Sequence, residues 1–246
     1  MISYGLIGYP LSHSFSKKYF EDKFRKEAIQ DKVYQQFELP QIEDVAELMS
    51  NDELQGFNVT SPYKEDILSY VQSLDSSASK VGAVNVVKRE QGDFWKGYNS
   101  DFYGFKSSLE NWLPNTSFKA LVLGTGGASK AILAVLKELG ISCQIVSRSE
   151  REGIITYDQL KSSDLLVHHQ LIINTTPLGT YPNTNNAPDL EYGSLTSAHY
   201  LYDLVYNPSE TKFMKLGKSQ GSQVKNGLEM LELQAEKSWE IWTGDL

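Results

Sequence analysis

The stretch Gly124-Thr125-Gly126-Gly127-Ala128-Ser129 constrains this chain more tightly than any other. It joins a short apolar run, Ala120–Leu123, which reads as a buried strand, to residues 128–139. There Ala131, Ile132, Val135, Leu136 and Leu139 recur on one helical face before Gly140 closes the helix. Strand, glycine turn and helix in that order open a βαβ unit. Gly124, Gly126 and Gly127 permit a tight turn and close backbone approach, and the free N–H groups from Ala128 onward suit a pyrophosphate. A strand–helix turn that binds nothing is the alternative, because Ser129 stands at the third glycine of the common fingerprint.

The next strand, Cys143–Ser147, sharpens the choice. NAD-binding folds usually carry an acid about 20 residues after the glycines, where it accepts from the adenosine ribose. Here the strand ends in Ser147-Arg148-Ser149, a guanidinium between two hydroxyls, all donors to phosphate oxygens. That points to the 2′-phosphate of NADP. Glu150 next door keeps NAD open, and a solvated loop arginine is the plainer reading.

Around this unit, short strand-like runs alternate with helical patterns, as in parallel α/β sheets. Strands are expected at Ile2–Ile7, Val33–Leu39, Leu54–Val59, Val81–Lys88, Leu171–Asn174 and Tyr200–Val205. Helices are expected at about 16–26, 42–49 and 228–242, with another beginning after Asp101 and ending near Pro114. The pattern restarts at about residue 115, dividing the 246 residues into two α/β lobes. The net charge of −8 with dispersed Lys and Arg argues against a nucleic-acid or anionic-membrane partner. A single cysteine, Cys143, suits a reducing compartment, and the N-terminal residues lack the basic and apolar regions of a signal peptide. No apolar run approaches the ~18–20 residues of a membrane span. A cytoplasmic protein is expected.

Lys64 sits at a constrained corner, after the strand ending at Val59 and after Thr60-Ser61-Pro62. A protonated amine there can stabilise a developing alkoxide or donate its proton to a substrate oxygen. A surface lysine opening a helix is the alternative. Asp101, after Asn99-Ser100, reads as a simple N-cap. Should both strand ends share one rim, the pair becomes a lysine oriented by a carboxylate.

These residues resemble the shikimate dehydrogenase family over nearly the whole chain. The similarity runs through Ser14 and Ser16 in GYPLSHSFS, Asn58-x-Thr60-x-Pro62-x-Lys64, Gly82-Ala83-Val84-Asn85 and Asn99-Ser100-Asp101-x-x-Gly104. It continues through the Gly124–Ser129 turn, Asn174-Thr175-Thr176-Pro177-Leu178-Gly179, Asp203-x-x-Tyr206 and Asn226-Gly227-x-x-Met230-Leu231-x-x-x-Gln234. Ser100 stands where the family usually has Thr, and Ser147 where NADP-dependent members usually carry Asn. The 149–170 region is also compact for the family.

The resemblance implies catalysis by Lys64 and Asp101. It implies substrate contacts from Ser14, Ser16, Asn58, Thr60, Asn85, Tyr206 and Gln234. It assigns cofactor contacts to Gly124, Gly126, Gly127, Ala128, Ser147, Arg148, Ser149, Asn174, Thr175, Thr176, Gly227 and Met230. The implied fold has two lobes, an N-terminal α/β substrate domain and a Rossmann-type dinucleotide-binding domain, with the final helix returning to the first. Residues 1–105 and 225–246 would form the former and 106–224 the latter. The implied reaction is NADPH-dependent reduction of 3-dehydroshikimate to shikimate in chorismate and aromatic amino acid biosynthesis, by a monomer or homodimer. No metal is implied, and His13, His168, His169 and His199 show no ligand spacing with acids or Cys143. Alternatives are a quinate/shikimate dehydrogenase using NAD, a non-catalytic nucleotide sensor of the same fold, or a related folate dehydrogenase. The last lacks the Asn-x-Thr-x-Pro-x-Lys order.

Overall fold

The computed structural model describes residues 1–11 and 15–244, so the expected site residue Ser14 lies outside the described residues. The chain divides into two compact units, Met1–Tyr103 with Leu233–Leu246, and Gly104–Glu232.

The first unit opens with β1 (Ile2–Gly8), α1 (Phe15–Lys26) and β2 (Lys32–Glu38). A single 3-10 turn then runs into α2 (Val45–Met49), followed by β3 (Leu54–Val59). β1 pairs in parallel with both β2 and β3. A second 3-10 turn leads to β4 (Ser73–Leu74), α3 (Ser76–Val81), β5 (Val86–Arg89), β6 (Trp95–Tyr98) and α4 (Ser100–Glu110). The six-stranded sheet has the order β2-β1-β3-β5-β6-β4, with β5 antiparallel to both neighbours. Register pairs Ile7 with Val59, Asn58 with Val86, and Val86 with Tyr98. The C-terminal ends of β1, β3 and β6 therefore share one edge with the start of β5. Two-residue alternation along the strands sends Tyr4, Leu6 and Val86 into one apolar cluster and Ile7 and Val87 into another.

The second unit contains β7 (Ala120–Leu123), α5 (Gly127–Glu138), β8 (Cys143–Ser147), β9 (Ile154–Thr156), α6 (Tyr157–Lys161) and α7 (Leu165–His168). It continues through β10 (Leu171–Asn174), β11 (Tyr200–Asp203), α8 (Lys212–Ser219) and β12 (Gln223–Lys225). Its strands pair in parallel in the order β12-β11-β10-β7-β8-β9. The strand order reverses beside β7, and such a switch point opens a crevice at the carboxyl ends of the strands. Only residues 148–153 link β8 to β9. This is fewer than the dozen or so that a crossover helix needs, and it accounts for the compact sequence there.

The last helix, α9 (Leu228–Thr243), begins in the second unit, and from Leu233 onward it belongs to the first. Trp242 stacks on Tyr4 at 4.8 Å between ring centroids, and its Nε1 donates to the Val87 carbonyl at 3.0 Å. Gly56 on β3 makes room for this, because a Cβ there would lie 2.4 Å from the indole. Trp239 and Trp242 are packing residues of the apolar cluster around Tyr4 and Phe20.

The strand expected over 81–88 is shorter. Asp75 caps α3 by accepting from the Ala78 N–H, the helix runs to Val81, and Gly82 ends it in the left-handed region at φ 68°. Only Val86–Arg89 then pairs in the sheet. Nor does a helix start at Lys64, which lies in a turn ahead of the 3-10 segment Asp66–Ser69. Among the described residues, no helix is long and apolar enough to cross a membrane.

Candidate active site

The shared strand edge of the first unit brings Lys64 and Asp101 together. The lysine Nζ lies 2.6 Å from Asp101 Oδ2, and both side chains are largely buried, at 21% and 16% exposure. One backbone tie and one side-chain tie hold the two segments here. The Lys64 carbonyl accepts from the Val84 N–H at 2.8 Å, just before β5. The start of α4 is fixed by Asn99, whose Oδ1 accepts from the Phe102 N–H at 3.1 Å and whose Nδ2 donates to the Ala83 carbonyl at 2.8 Å. Asn99 is therefore the N-cap, and the capping role considered for Asp101 falls to its neighbour. Asp101 sits in the first turn of α4 with its carboxylate on the lysine.

Behind this pair lies a buried polar cluster. Asn85 Oδ1 accepts from the Ser100 N–H at 2.6 Å, and Asn85 Nδ2 donates to Ser100 Oγ at 3.0 Å. Ser100 Oγ also lies 3.3 Å from Gln234 Oε1 and 3.1 Å from Ser238 Oγ. Asn58 donates to Ser238 Oγ at 2.9 Å and accepts from the Tyr34 hydroxyl at 2.8 Å. The Ser16 hydroxyl also bonds Tyr34. Asn58, Asn85, Gln234 and Ser16 thus converge, with Thr60 at the end of β3 beside Gly8. The amides of Asn58 and Asn85 are turned inward onto protein partners. Ser238 and Tyr34 were missed in the sequence. Ser238 lies four residues beyond Gln234 and so shares its helix face, a signal that was available.

In the second unit, a cleft of about 380 Å³ opens at the carboxyl ends of β7, β8 and β10. It is lined by Gly124, Thr125, Gly126, Ser147, Arg148 and Tyr157, with Thr175–Leu178 on the facing side. Gly124 adopts φ +108°, and a Cβ there would meet Thr175 Oγ1 and Thr176 Cγ2 at 2.9 Å each. A Cβ at Gly126 or Gly127 would meet no atom within 4 Å, and no side chain caps the start of α5. Packing within the chain does not demand these two glycines, and their missing side chains leave the first-turn N–H groups of α5 open to a ligand.

Residues 148–153 separate two charges. Arg148 lines the cleft, while Glu150 accepts from Gln159 Nε2 at 2.9 Å and borders a different hollow with Arg151 and Glu152. Tyr157, unforeseen from sequence, is placed at the cleft by the capping box of Thr156 and Gln159, whose spacing was visible. Burial pushes its hydroxyl up to about 12.

Several other expected contacts take different positions. Ala128 and Ser149 lie outside the cleft lining. The amide of Asn174 is wholly internal, bonded to Asp203 and Thr176. Gly227 has a steric reason of its own, because a Cβ there would sit 2.2 Å from the Leu204 carbonyl oxygen. Met230 is buried in α9, and Tyr206 is exposed at 37%, beyond β11. Among the described residues, no three His, Cys, Asp or Glu side chains gather as metal ligands would. His199 is instead bonded to the Thr196 N–H and the Leu166 carbonyl.

A parallel sheet reversing at β7, with a glycine turn leading into α5, defines the second unit as a Rossmann-type dinucleotide-binding unit. Comparison with known proteins gives the particular family. Residues 6–87 match the shikimate dehydrogenase substrate binding domain. The chain is 38% identical to the NADP(+) shikimate dehydrogenase of Clostridium beijerinckii, over 97% of this chain and 91% of that protein. A chorismate mutase/shikimate 5-dehydrogenase fusion protein from Clostridium acetobutylicum superposes with a TM-score of 0.89 at 32% identity, covering 99% of this chain and 92% of the other. A shikimate dehydrogenase solved with NADP+ gives a TM-score of 0.87 at 29% identity, covering 99% and 90%. The chain belongs to the shikimate dehydrogenase family.

One buried acid makes stability depend on pH. Burial pushes Asp203 up to about 6 from the ordinary 3.8, against the opposing hydrogen bonds from Thr211, Val205 and Asn174. Because the folded value is raised, the folded state binds a proton between about pH 4 and 6 that the unfolded chain does not hold. The contribution is fully present below about pH 4 and is lost as pH rises through 6. Wild type should therefore gain up to about 3 kcal/mol over Asp203→Asn between pH 7.5 and 4. Urea unfolding of both proteins across that range measures this; parallel stability profiles would contradict it.

Proposed function

We propose that the chain catalyses the reversible NADPH-dependent reduction of 3-dehydroshikimate to shikimate, a step of chorismate and aromatic amino acid biosynthesis. The observation that carries this reading is the Lys64–Asp101 pair at 2.6 Å, on the same strand edge as Asn58, Asn85 and Thr60. Hydride delivered by the reduced nicotinamide leaves negative charge on the ketone oxygen. The Lys64 ammonium neutralises that charge and returns a proton, and Asp101 keeps the ammonium aimed. Ser14, Ser16, Thr60 and Gln234 supply neutral donors and acceptors for a polyhydroxylated ring bearing a carboxylate. Asn58 and Asn85 hold these elements in place through Ser100 and Ser238. Residues 1–105 and 225–246 carry the substrate, and 106–224 the cofactor.

The cleft fits NADPH. The Gly124–Gly127 turn and the start of α5 take the pyrophosphate, Ser147 and Arg148 the 2′-phosphate, and Thr175 and Thr176 the facing wall. Turning Glu150 onto Gln159 removes the acid that would favour NAD. A nucleotide sensor has no need of a lysine held by a carboxylate, so the pair also speaks against that alternative. We read the protein as cytoplasmic, in keeping with its single cysteine, Cys143, and as a monomer or homodimer.

The direct assay follows the reduced-nicotinamide absorbance with 3-dehydroshikimate. Wild type should consume NADPH, and Lys64→Ala should fold and bind NADPH with turnover down about 10²–10⁴-fold. A variant keeping more than a third of wild-type turnover would remove Lys64 from the chemistry.

Arg148→Ala should raise the NADPH KM roughly 10–150-fold, the worth of a hydrogen bond to a charged group. NADH kinetics should barely move, because NADH has no 2′-phosphate. Equal damage to both cofactors would make Arg148 structural.

A further inference from the structure

Asp203 takes no part in the proposed chemistry, yet it is a fully buried carboxylate at the end of β11. Its acceptor capacity is divided between three neutral donors. Oδ1 accepts from Asn174 Nδ2 at 2.9 Å and from the Val205 N–H at 3.1 Å, and Oδ2 accepts from Thr211 Oγ1 at 2.6 Å. Asn174 lies beside it, paired across β10 and β11, and is itself fully buried. Its Oδ1 accepts from the Thr176 N–H at 3.0 Å and from Thr176 Oγ1 at 2.6 Å. Thr176 Oγ1 in turn accepts from the Leu178 N–H at 3.3 Å. Thr176 and Leu178 both line the dinucleotide cleft.

The polarity of this chain of bonds runs one way. An ionised carboxylate only accepts, so the Asn174 amide must turn its NH₂ toward Asp203 and its oxygen toward Thr176. The reverse orientation would set the amide NH₂ against the Thr176 N–H and the carboxylate against an oxygen. With the amide fixed, the Thr176 hydroxyl has to donate back to Asn174, which leaves its lone pairs for Leu178. In a buried setting, such bonds reinforce one another, and an unmet partner is costly.

We propose that Asp203 is a positioning residue for the cofactor, fixing the Thr175–Leu178 wall of the cleft through the amide of Asn174. The inference rests on the reading that this cleft takes NADPH. What the relay requires of residue 203 is an acceptor at Oδ1 rather than the negative charge. An Asn there can still offer its oxygen to Asn174 and Val205 and its NH₂ to Thr211, whereas a Leu offers nothing.

The test compares Asp203→Leu and Asp203→Asn with wild type by two readouts. One is kinetic, with KM for NADPH and for 3-dehydroshikimate measured separately. The other is amide hydrogen exchange of residues 175–178 without cofactor. Asp203→Leu should raise the NADPH KM about tenfold, as expected for losing one or two net hydrogen bonds, and speed exchange at Thr176. Its KM for 3-dehydroshikimate should stay within about twofold and its kcat within about threefold. Asp203→Asn should stay within about threefold of wild type on the NADPH KM and exchange normally. Should Asp203→Leu fail to fold, Asn174→Leu breaks the relay one step further on and should give the same pattern. Unchanged exchange and NADPH KM in the folded Leu variant would overturn the proposal, as would an equal rise in both KM values. If wild type does not turn over NADPH at all, the proposed function fails, and hydrogen exchange alone still decides whether Asp203 sets this wall.

Discussion

The candidate active site is built around one contact, the 2.6 Å approach of Lys64 to Asp101. Thirty-seven residues separate the two, and neither sits on a strand. They meet because β3 and β6 end on the same sheet edge, and that in turn follows from β5 running antiparallel between them. Asn99 caps α4 at that edge, and Asn85 grips the Ser100 N–H, so the first turn of the helix cannot move without breaking buried hydrogen bonds. With about a fifth or less of each side chain exposed, the pair is screened far less than a surface ion pair. A lysine held in this way has lost most of its rotamer freedom before any substrate arrives, the preorganisation that electrostatic catalysis requires.

The second unit applies the same principle to a different ligand. Its strands are all parallel, so their carboxyl ends and the start of α5 fall together, and the reversal beside β7 opens the cleft between them. Two opposite charges part company within a few residues after β8. Because that link is too short for a helix, Arg148 enters the cleft while Glu150 turns away to Gln159. The wall opposite is held from behind, where Asn174 bonds both Asp203 and Thr176.

Much of this was legible in the sequence, and the exceptions share a cause. The Gly124–Ser129 turn, the strand ending at Val59 and the final helix were readable because strand and helix periodicities are local. The separation of Lys64 and Asp101 was not, since register across three strands decides it. Asn58, Asn85 and Asn174 resemble ligand contacts by residue type, but their amides bond protein partners as distant as Ser238, 180 positions along the chain. No spacing rule reaches that far. The strand expected over 81–88 failed for a nearer reason. Asp75 and Gly82 are start and stop signals for a one-and-a-half-turn helix, and they override the apolar content of the segment. Gly227 is explained by a carbonyl oxygen that only tertiary structure brings close.

The central claim is that Lys64 and Asp101 act as one unit. A double-mutant cycle tests it most directly, using Lys64→Met, Asp101→Asn and the pair together, with kcat/KM for 3-dehydroshikimate measured at saturating NADPH. If the carboxylate works only by holding the ammonium, the double variant should be no more than about threefold worse than Lys64→Met alone. Losses that multiply, each substitution costing as much with its partner absent as present, would contradict it.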